Sequence, residues 1–327
     1  MEQRRLEFVL EARQPIAHAE GNYGNTSVIM RDKVRTADGQ WASVPIITGD
    51  TMRHGIREAA ALCLLECAGM LGNTLSEGAL RLLFSGGMVT STGGVINLED
   101  YRKMIDLVPS LALLGGCAGN RIIPGRINVS NALLICQETH HLLPTWVQQW
   151  MADKYWEYKP QRSHVEEVQR VRMDPCLDPG KRALLSPEAR AAAEGRMLAS
   201  EAASASEDFA GVERSKSTML PFRYERVARG SLFFWSVSAT CYSALDHDTL
   251  LVMVGAFLRN AVVGGKRGTG HGLLHPLAAN NVTLANFSER MDTLDLADPS
   301  ARVGRLFQAH IQERAEAVRE LLGKVVA

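Results

Sequence analysis

The chain lacks any excess of charge: its 327 residues carry 36 basic and 36 acidic side chains. A protein that coats nucleic acid by bulk charge is thereby excluded, so any nucleic-acid contact has to rest on local patches. No apolar run approaches the length of a membrane-crossing segment, and no membrane partner is expected. No signal peptide opens the sequence, because Met1-Glu2-Gln3-Arg4-Arg5 leads into a strand-like run rather than an apolar core. The six cysteines, at 63, 67, 117, 136, 176 and 241, are scattered without a tight framework. Reduced thiols in a cytoplasm follow.

The arrangements that carry chemistry are missing as well. Cys63 and Cys67 stand i, i+4 on a helix, without the paired spacings or companion histidines a zinc site needs; burial on an apolar face explains them. There is no H-E-x-x-H helix and no nucleophile elbow. The sequence therefore points to no catalytic group, no metal and no cofactor.

What the chain does have is glycine in one place. Gly264-Gly265-Lys266-Arg267-Gly268-Thr269-Gly270-His271-Gly272 places five glycines and two adjacent cations between a helix-like run and a strand-like run. Glycine lets backbone N–H groups approach and face an anion, and Lys266 and Arg267 add charge there. A Walker A loop is excluded, since Asn260 stands at its first glycine and Arg267 at its hydroxyl. A dinucleotide fingerprint should leave a strand and open a helix, the reverse of this order. A phosphate of another kind and a simple tight turn both remain as readings.

Along the chain, Leu6–Ala12 alternates apolar and polar residues as a half-buried strand does, and Pro15 ends it. A polar loop over 20–27 and a short strand over 28–31 follow, then the basic cluster Arg31, Lys33 and Arg35 before an Asp38-Gly39 turn. Thr48–Glu58 opens an Ala/Leu-rich helix reaching about Met70, with Asp50 or Thr51 as cap. Arg53 and Arg57 share one face of its first turns, where two cations oppose the helix dipole. A bound anion would reconcile them; so would solvent exposure beside acidic neighbours.

Residues 76–114 are expected to be helical around a glycine-rich break, and strands are expected over 122–123 and 127–136. The aromatics Trp146, Trp150, Tyr155, Trp156 and Tyr158 fit helix-face packing better than base stacking. Composition changes over about 160–220, marking an excursion with a helix near 187–198. Ser231–Tyr242 is a strand, Asp246–Val263 an apolar helix, and about Gly272–Thr283 another strand. An amphipathic helix over 299–324 should turn Val303, Leu306, Phe307, Ile311, Val318 and Leu322 inward. Strand, helix, strand early and again late gives an α+β domain on a split βαβ sheet.

Five segments then resemble one family in its own order. Ala12-Arg13-Gln14-Pro15-Ile16 is similar to the end of the first strand of CRISPR-associated RAMP proteins, which form the backbone of multisubunit effector complexes. Pro45–Arg57 resembles that family's I-P-G-S-S-L-K-G-x-L-R segment, and Leu114-Gly115-Gly116 its L-F-G motif. Glu225–Phe233 resembles E-R-V-P-A-G-x-x-F, and the glycine loop resembles the C-terminal G-G-x-x-x-x-G-x-G. Thr48 replaces a usual proline, His54 a usual glycine, and Thr269 a position often basic. The long helical insert is most like the type IV backbone subunit.

The resemblance implies a ferredoxin-like, RRM-like palm in a single domain. Helical fingers would occupy about 72–114, a thumb-containing insertion about 160–226 and a C-terminal helix about 299–325. It implies copies stacked head to tail along a guide RNA (crRNA), other CRISPR effector subunits as partners, and a target nucleic acid, DNA or RNA, reached by pairing. The implied RNA contacts are Arg31, Lys33, Arg53, His54, Arg57, Gly264, Gly265, Lys266, Arg267, Gly268 and Gly270, with Met219 and Leu220 as the thumb's apolar wedge. RNA-cleaving relatives, a metal-dependent target-RNA endonuclease class, carry an aspartate in an I-D-N-P-x-x-R-like stretch. Here Gly24–Arg31 has no carboxylate and Asp32 lies beyond the arginine, so a non-catalytic scaffold is expected.

Overall fold

Alternation writes the central sheet. In Leu232–Cys241 every second side chain, from Phe233 through Trp235, Val237 and Ala239 to Cys241, is buried against helices, while Ser236, Ser238 and Thr240 face the other way. We describe the chain from a computed structural model, over residues 1–88, 96–118, 120–171, 174–205, 221–280 and 304–324.

In chain order, β1 (Glu2–Ala12) is followed by β2 (Ala19–Tyr23), β3 (Thr26–Ile29), β4 (Arg31–Arg35) and β5 (Trp41–Ile47). Then come α1 (Gly49–Cys67), α2 (Glu77–Ser85), α3 (Leu98–Leu107) and α4 (Pro109–Leu114). Short strands β6 (Gly116–Ala118), β7 (Arg121–Ile123), β8 (Ile127–Val129) and β9 (Ala132–Leu134) lead to α5 (Thr145–Asp153). The excursion holds β10 (Val165–Arg170), α6 (Pro179–Arg182) and α7 (Pro187–Ala205), and β11 (Phe222–Val227) closes it. The last part is β12 (Leu232–Cys241), α8 (Ala244–Arg259), β13 (Ala261–Val262), β14 (Leu273–Asn280), α9 (Arg305–Glu313) and α10 (Ala315–Lys324).

The main sheet runs β13-β14-β1-β12-β9-β5-β4, with β8 also on β12. Its centre, β14-β1-β12-β9, is antiparallel throughout. Counting the palm elements as β1, α1, β9, β12, α8 and β14, the strand order is 4-1-3-2, which is the ferredoxin-like split βαβ. Both helices lie on one face: Met52 and Ile56 of α1 and Met253, Val254 and Phe257 of α8 share a core with Phe8, Leu10, Phe233 and Trp235. On the opposite face, α5 packs Val147 and Met151 against Val9, Leu232 and Ala278. Trp146 donates to Glu7 Oε2 at 2.7 Å, and the Trp150 and Trp156 rings meet edge to face, so these aromatics pack as expected.

The finger helices form a second core with α1, α8 and the C-terminal helices, around Leu64, Leu82, Met104, Val252 and Phe307. The expected C-terminal helix is two helices broken at Arg314. Leu306, expected inside, is half exposed, whereas Phe307, Ile311, Val318 and Leu322 are buried; Val303 lies outside the described residues. Asp248 of α8 starts α9, its carboxylate accepting from the N–H groups of Gly304 and Phe307 at 2.8 and 2.9 Å. Burial pushes the thiols of Cys63 and Cys67 up to about 11 and about 12.

A second sheet, β10-β11-β3-β2, was not expected. The polar stretch read as a loop is the β2–β3 hairpin, and β3 pairs in parallel with β11 from the far side of the excursion. The wedge residues Met219 and Leu220 lie outside the described residues.

Candidate nucleic-acid interface

The glycine loop is a built turn. Val263 N–H donates to Gly272 O at 3.0 Å and closes it, while Gly265 N–H donates to Ala17 O and Gly272 N–H to Pro15 O, at 2.8 and 3.0 Å. The loop is thus stitched to the chain just after β1. Gly264 has φ 74°, and a Cβ there would lie 2.8 Å from Ala17 O; glycine is required. Inside the loop, Lys266 takes the left-handed conformation, φ 59°, and Thr269 Oγ1 donates to its carbonyl at 2.9 Å.

Strand β11 braces the loop from outside. Lys266 Nζ sits 4.2 Å from the Tyr224 ring centre and 4.8 Å from that of Phe222, a cation–π contact that leaves the residue exposed. His271 Nδ1 faces Thr269 O at 3.1 Å, and its Nε2 faces the Tyr224 hydroxyl at 3.5 Å. Burial lowers the His271 pKa, so the ring is neutral near pH 7, with Nδ1–H donating to the carbonyl.

At the start of α1, Thr48 is the N-cap, its hydroxyl accepting from Thr51 N–H at 3.4 Å. Thr48 N–H in turn donates to His18 Nε2 at 3.3 Å, and burial keeps that imidazole neutral. The Arg53–Arg57 pair has a different reconciliation from a bound anion. Both guanidinium groups serve the C-terminal end of α4: Arg53 donates to Leu114 O, and Arg57 to Leu114 O and Gly115 O at 3.3 and 2.9 Å. Those carbonyls have no intrahelical partner and carry the negative end of the helix dipole. Arg57 is buried, and burial, then the Arg53 charge, pulls its pKa down to about 10; it remains a cation at neutral pH. Its expected place at an RNA phosphate is therefore corrected: it is an internal cap. Arg53 is half buried but still lines a cleft of about 290 Å³ with Asn128 and Asn131. His54 is exposed beside Glu58, at 3.4 Å.

A larger open cleft of about 500 Å³ gathers three distant segments: Ala17 and His18, then Asp50, Thr51 and His54, then Gly264, Gly265 and Arg267. Arg267 is exposed and held by a bond from its Nε to Gly264 O at 3.2 Å. Asp50 lines both clefts, so they meet across the start of α1. Gly268 and Gly270 are exposed, with nothing near the position of a Cβ, and neither lines the larger cleft. Sequence reasoning missed His18, which stands alone between two alanines with no pattern around it.

Main-chain bonds carry this site toward the basic cluster. Met30 N–H donates to His18 O at 2.7 Å, and Ile46 N–H donates to Met30 O at 3.1 Å. Arg31 therefore leaves directly from the cleft's rim. Its guanidinium is bidentate on Glu225, at 2.7 and 3.1 Å, and Ile29 N–H donates to the same carboxylate. Arg31 is thus committed to a partner 194 residues away rather than free. Lys33 is exposed on β4 and lines neither cleft.

The Arg31 hydrogen bonds hold the Glu225 carboxyl below its ordinary range, outweighing the upward push of burial. A depressed carboxylate stabilises the fold fully above its unfolded pKa, roughly 4.3, and loses that contribution as pH falls through the folded value. Acid melting curves should accordingly show the wild type's advantage over Glu225→Gln as constant near neutrality and vanishing below that range. A constant difference down to strong acid would show that the clamp is not ionic.

No family model matches the chain, and no curated protein matches it. A solved structure described as "Type IV-B CRISPR Complex" contains a chain similar in fold, with a TM-score of 0.52 and 16% identity. The likeness covers 86% of this chain and 92% of that one. The two share a fold. The CRISPR-complex chain is matched over nearly its whole length, so the likeness includes more than the palm. Among the described residues, no helix is long and apolar enough to cross a membrane, and no group of three or more His, Cys, Asp or Glu could hold a metal.

Proposed function

We propose that the protein is a non-catalytic backbone subunit of a type IV-like CRISPR ribonucleoprotein, binding guide RNA and oligomerising head to tail along it. The guide would be presented for pairing with target nucleic acid, in defence against or competition with mobile DNA. The observation that carries this reading is the convergence of separate segments on one cleft: the chain after β1, the start of α1 and the glycine loop. Three of the five family-like motifs lie in or beside these segments, and the shared fold spans 86% of the chain.

The chemistry of the cleft suits a backbone contact. Arg267 offers charge, the Gly264–Gly265 main chain allows close approach, and His18 and Thr51 offer neutral polar groups. Contacts of this kind hold phosphate and sugar without reading bases, as a carrier of arbitrary guides needs. A head-to-tail interface does not close on itself, so guide length would set the number of copies. Asn25, in the stretch where cleaving relatives carry aspartate, has only an amide, which donates to Pro221 O at 2.7 Å. An amide neither moves a proton nor replaces a carboxylate on a metal.

Purification from cells expressing the guide should give a nucleic-acid-rich particle of high mass, and a clean monomer would defeat the proposal. Particles given complementary RNA and Mg²⁺ should leave it intact; regularly spaced products would make the protein a ribonuclease. Arg267→Glu should weaken guide retention with a steeper loss in salt, because each phosphate contact releases counterions.

A further inference from the structure

We propose that the outer face of the β4–β5 hairpin is a second nucleic-acid contact, on which Trp41 stacks an unpaired base while Lys33 and Arg35 hold the neighbouring phosphates. The proposal rests on the reading that this protein handles nucleic acid, and it adds a site outside the cleft. The register fixes the geometry. Lys33 is opposite Ser43, and Arg35 is opposite Trp41. Directly opposed residues project from the same face, so Lys33, Arg35, Ser43 and Trp41 share one. The alternate pair, Val34 and Ala42, turns toward the core instead.

Trp41 is the most exposed of the five tryptophans at 71%, while Trp235 is fully buried. The other three pack on or beside α5. The hairpin under Trp41 is braced: Thr36 N–H donates to Gln40 O, Gly39 N–H to Thr36 O, and Arg35 Nε to Gly39 O. An indole held open to water on a braced strand loses little freedom when it binds.

Its surroundings decide the ligand class. A protein-docking tryptophan sits among apolar residues that exclude water. Here the neighbours on the face are Lys33, Arg35 and Ser43, and among the described residues neither cation has an acidic partner within 4.0 Å. Two unpaired cations about 7 Å apart along a strand, beside a bare aromatic face, match the pattern of a single-strand platform. A duplex hides its base faces and would leave the indole unused. Because β4 begins one residue after Met30, which bonds His18 at the cleft, this face prolongs the cleft rather than forming a detached patch.

The test uses the full-length chain freed of nucleic acid and titrated with labelled oligouridylate, heparin serving as a polyanion without bases. Trp41→Ala should weaken oligouridylate binding about tenfold and leave heparin binding unchanged, while Trp41→Phe should restore most of the loss. Lys33→Ala with Arg35→Ala should flatten the salt dependence by about two counterions. In guide-loaded particles, Trp41→Ala should cost either guide retention, which makes the guide the stacked strand, or capture of a complementary target, which makes it the target. Equal oligouridylate binding by all variants would overturn the proposal, as would a Trp41→Ala defect that appears only as loss of self-association without nucleic acid. A chain that binds oligouridylate through Trp41 but never copurifies with guide would overturn the assembly proposed above and leave this one standing.

Discussion

Gly272→Ala should cost about 3 kcal/mol or more, lowering the melting temperature by several degrees, while Gly268→Ala in the same loop should change it by less than about 0.5 kcal/mol. The difference is geometric. Gly272 has φ 104°, and a Cβ there would lie 2.3 Å from Val263 O. That oxygen is backbone and cannot swing aside. Nor can Gly272 itself retreat, because its carbonyl accepts from Val263 and its N–H donates to Pro15. Gly268 has an ordinary φ and open space around it. Differential scanning calorimetry of the two variants checks the pair. Equal stability would mean that the loop is slack, and the cleft it helps to line would lose its rigid wall.

Arg57→Ala should destabilise the protein by about 3 kcal/mol without altering how the remaining folded protein holds RNA. Removing this guanidinium strands the Leu114 and Gly115 carbonyls at the buried end of α4 and leaves a void beside Gly86, whose Cβ position lies 3.2 Å from the guanidinium. Arg267→Glu should do the reverse, sparing the melting temperature and weakening RNA retention, since Arg267 is exposed and bonds only its own loop. Thermal melting and the salt slope of RNA binding, measured on both variants, separate the two kinds of arginine. An Arg57→Ala protein that melts like wild type but loses its RNA would return Arg57 to the binding surface.

The palm was legible because its signals are local. The alternation of Leu6–Ala12 and Ser231–Tyr242 and the apolar run before the glycine loop each state their own element, and the order of elements gives the split βαβ sheet. What stayed hidden depends on partners far along the chain. The β2 strand has exposed and half-buried residues throughout, so nothing in its composition distinguishes it from a loop; pairing with β3, and through it β11, makes it a strand. The spacing of Arg53 and Arg57 showed two cations set against a helix dipole, but not that the opposing charge is the end of another helix. Lys266 announced itself as a cation beside glycines, whereas the rings beneath it come from strand 222–227.

That strand gives the excursion its hold on the cleft. Phe222 and Tyr224 lie under Lys266 from one face of β11, and Glu225, of opposite parity, grips Arg31 from the other. A slip of one residue would turn both grips to the wrong side, and the smallest shift that keeps parity is two residues, about 7 Å. Six paired residues of β10 oppose any such shift. Pulling on the excursion therefore does not deform the cleft by degrees: strand 222–227 acts as a toothed rack, holding both grips in register or releasing them together.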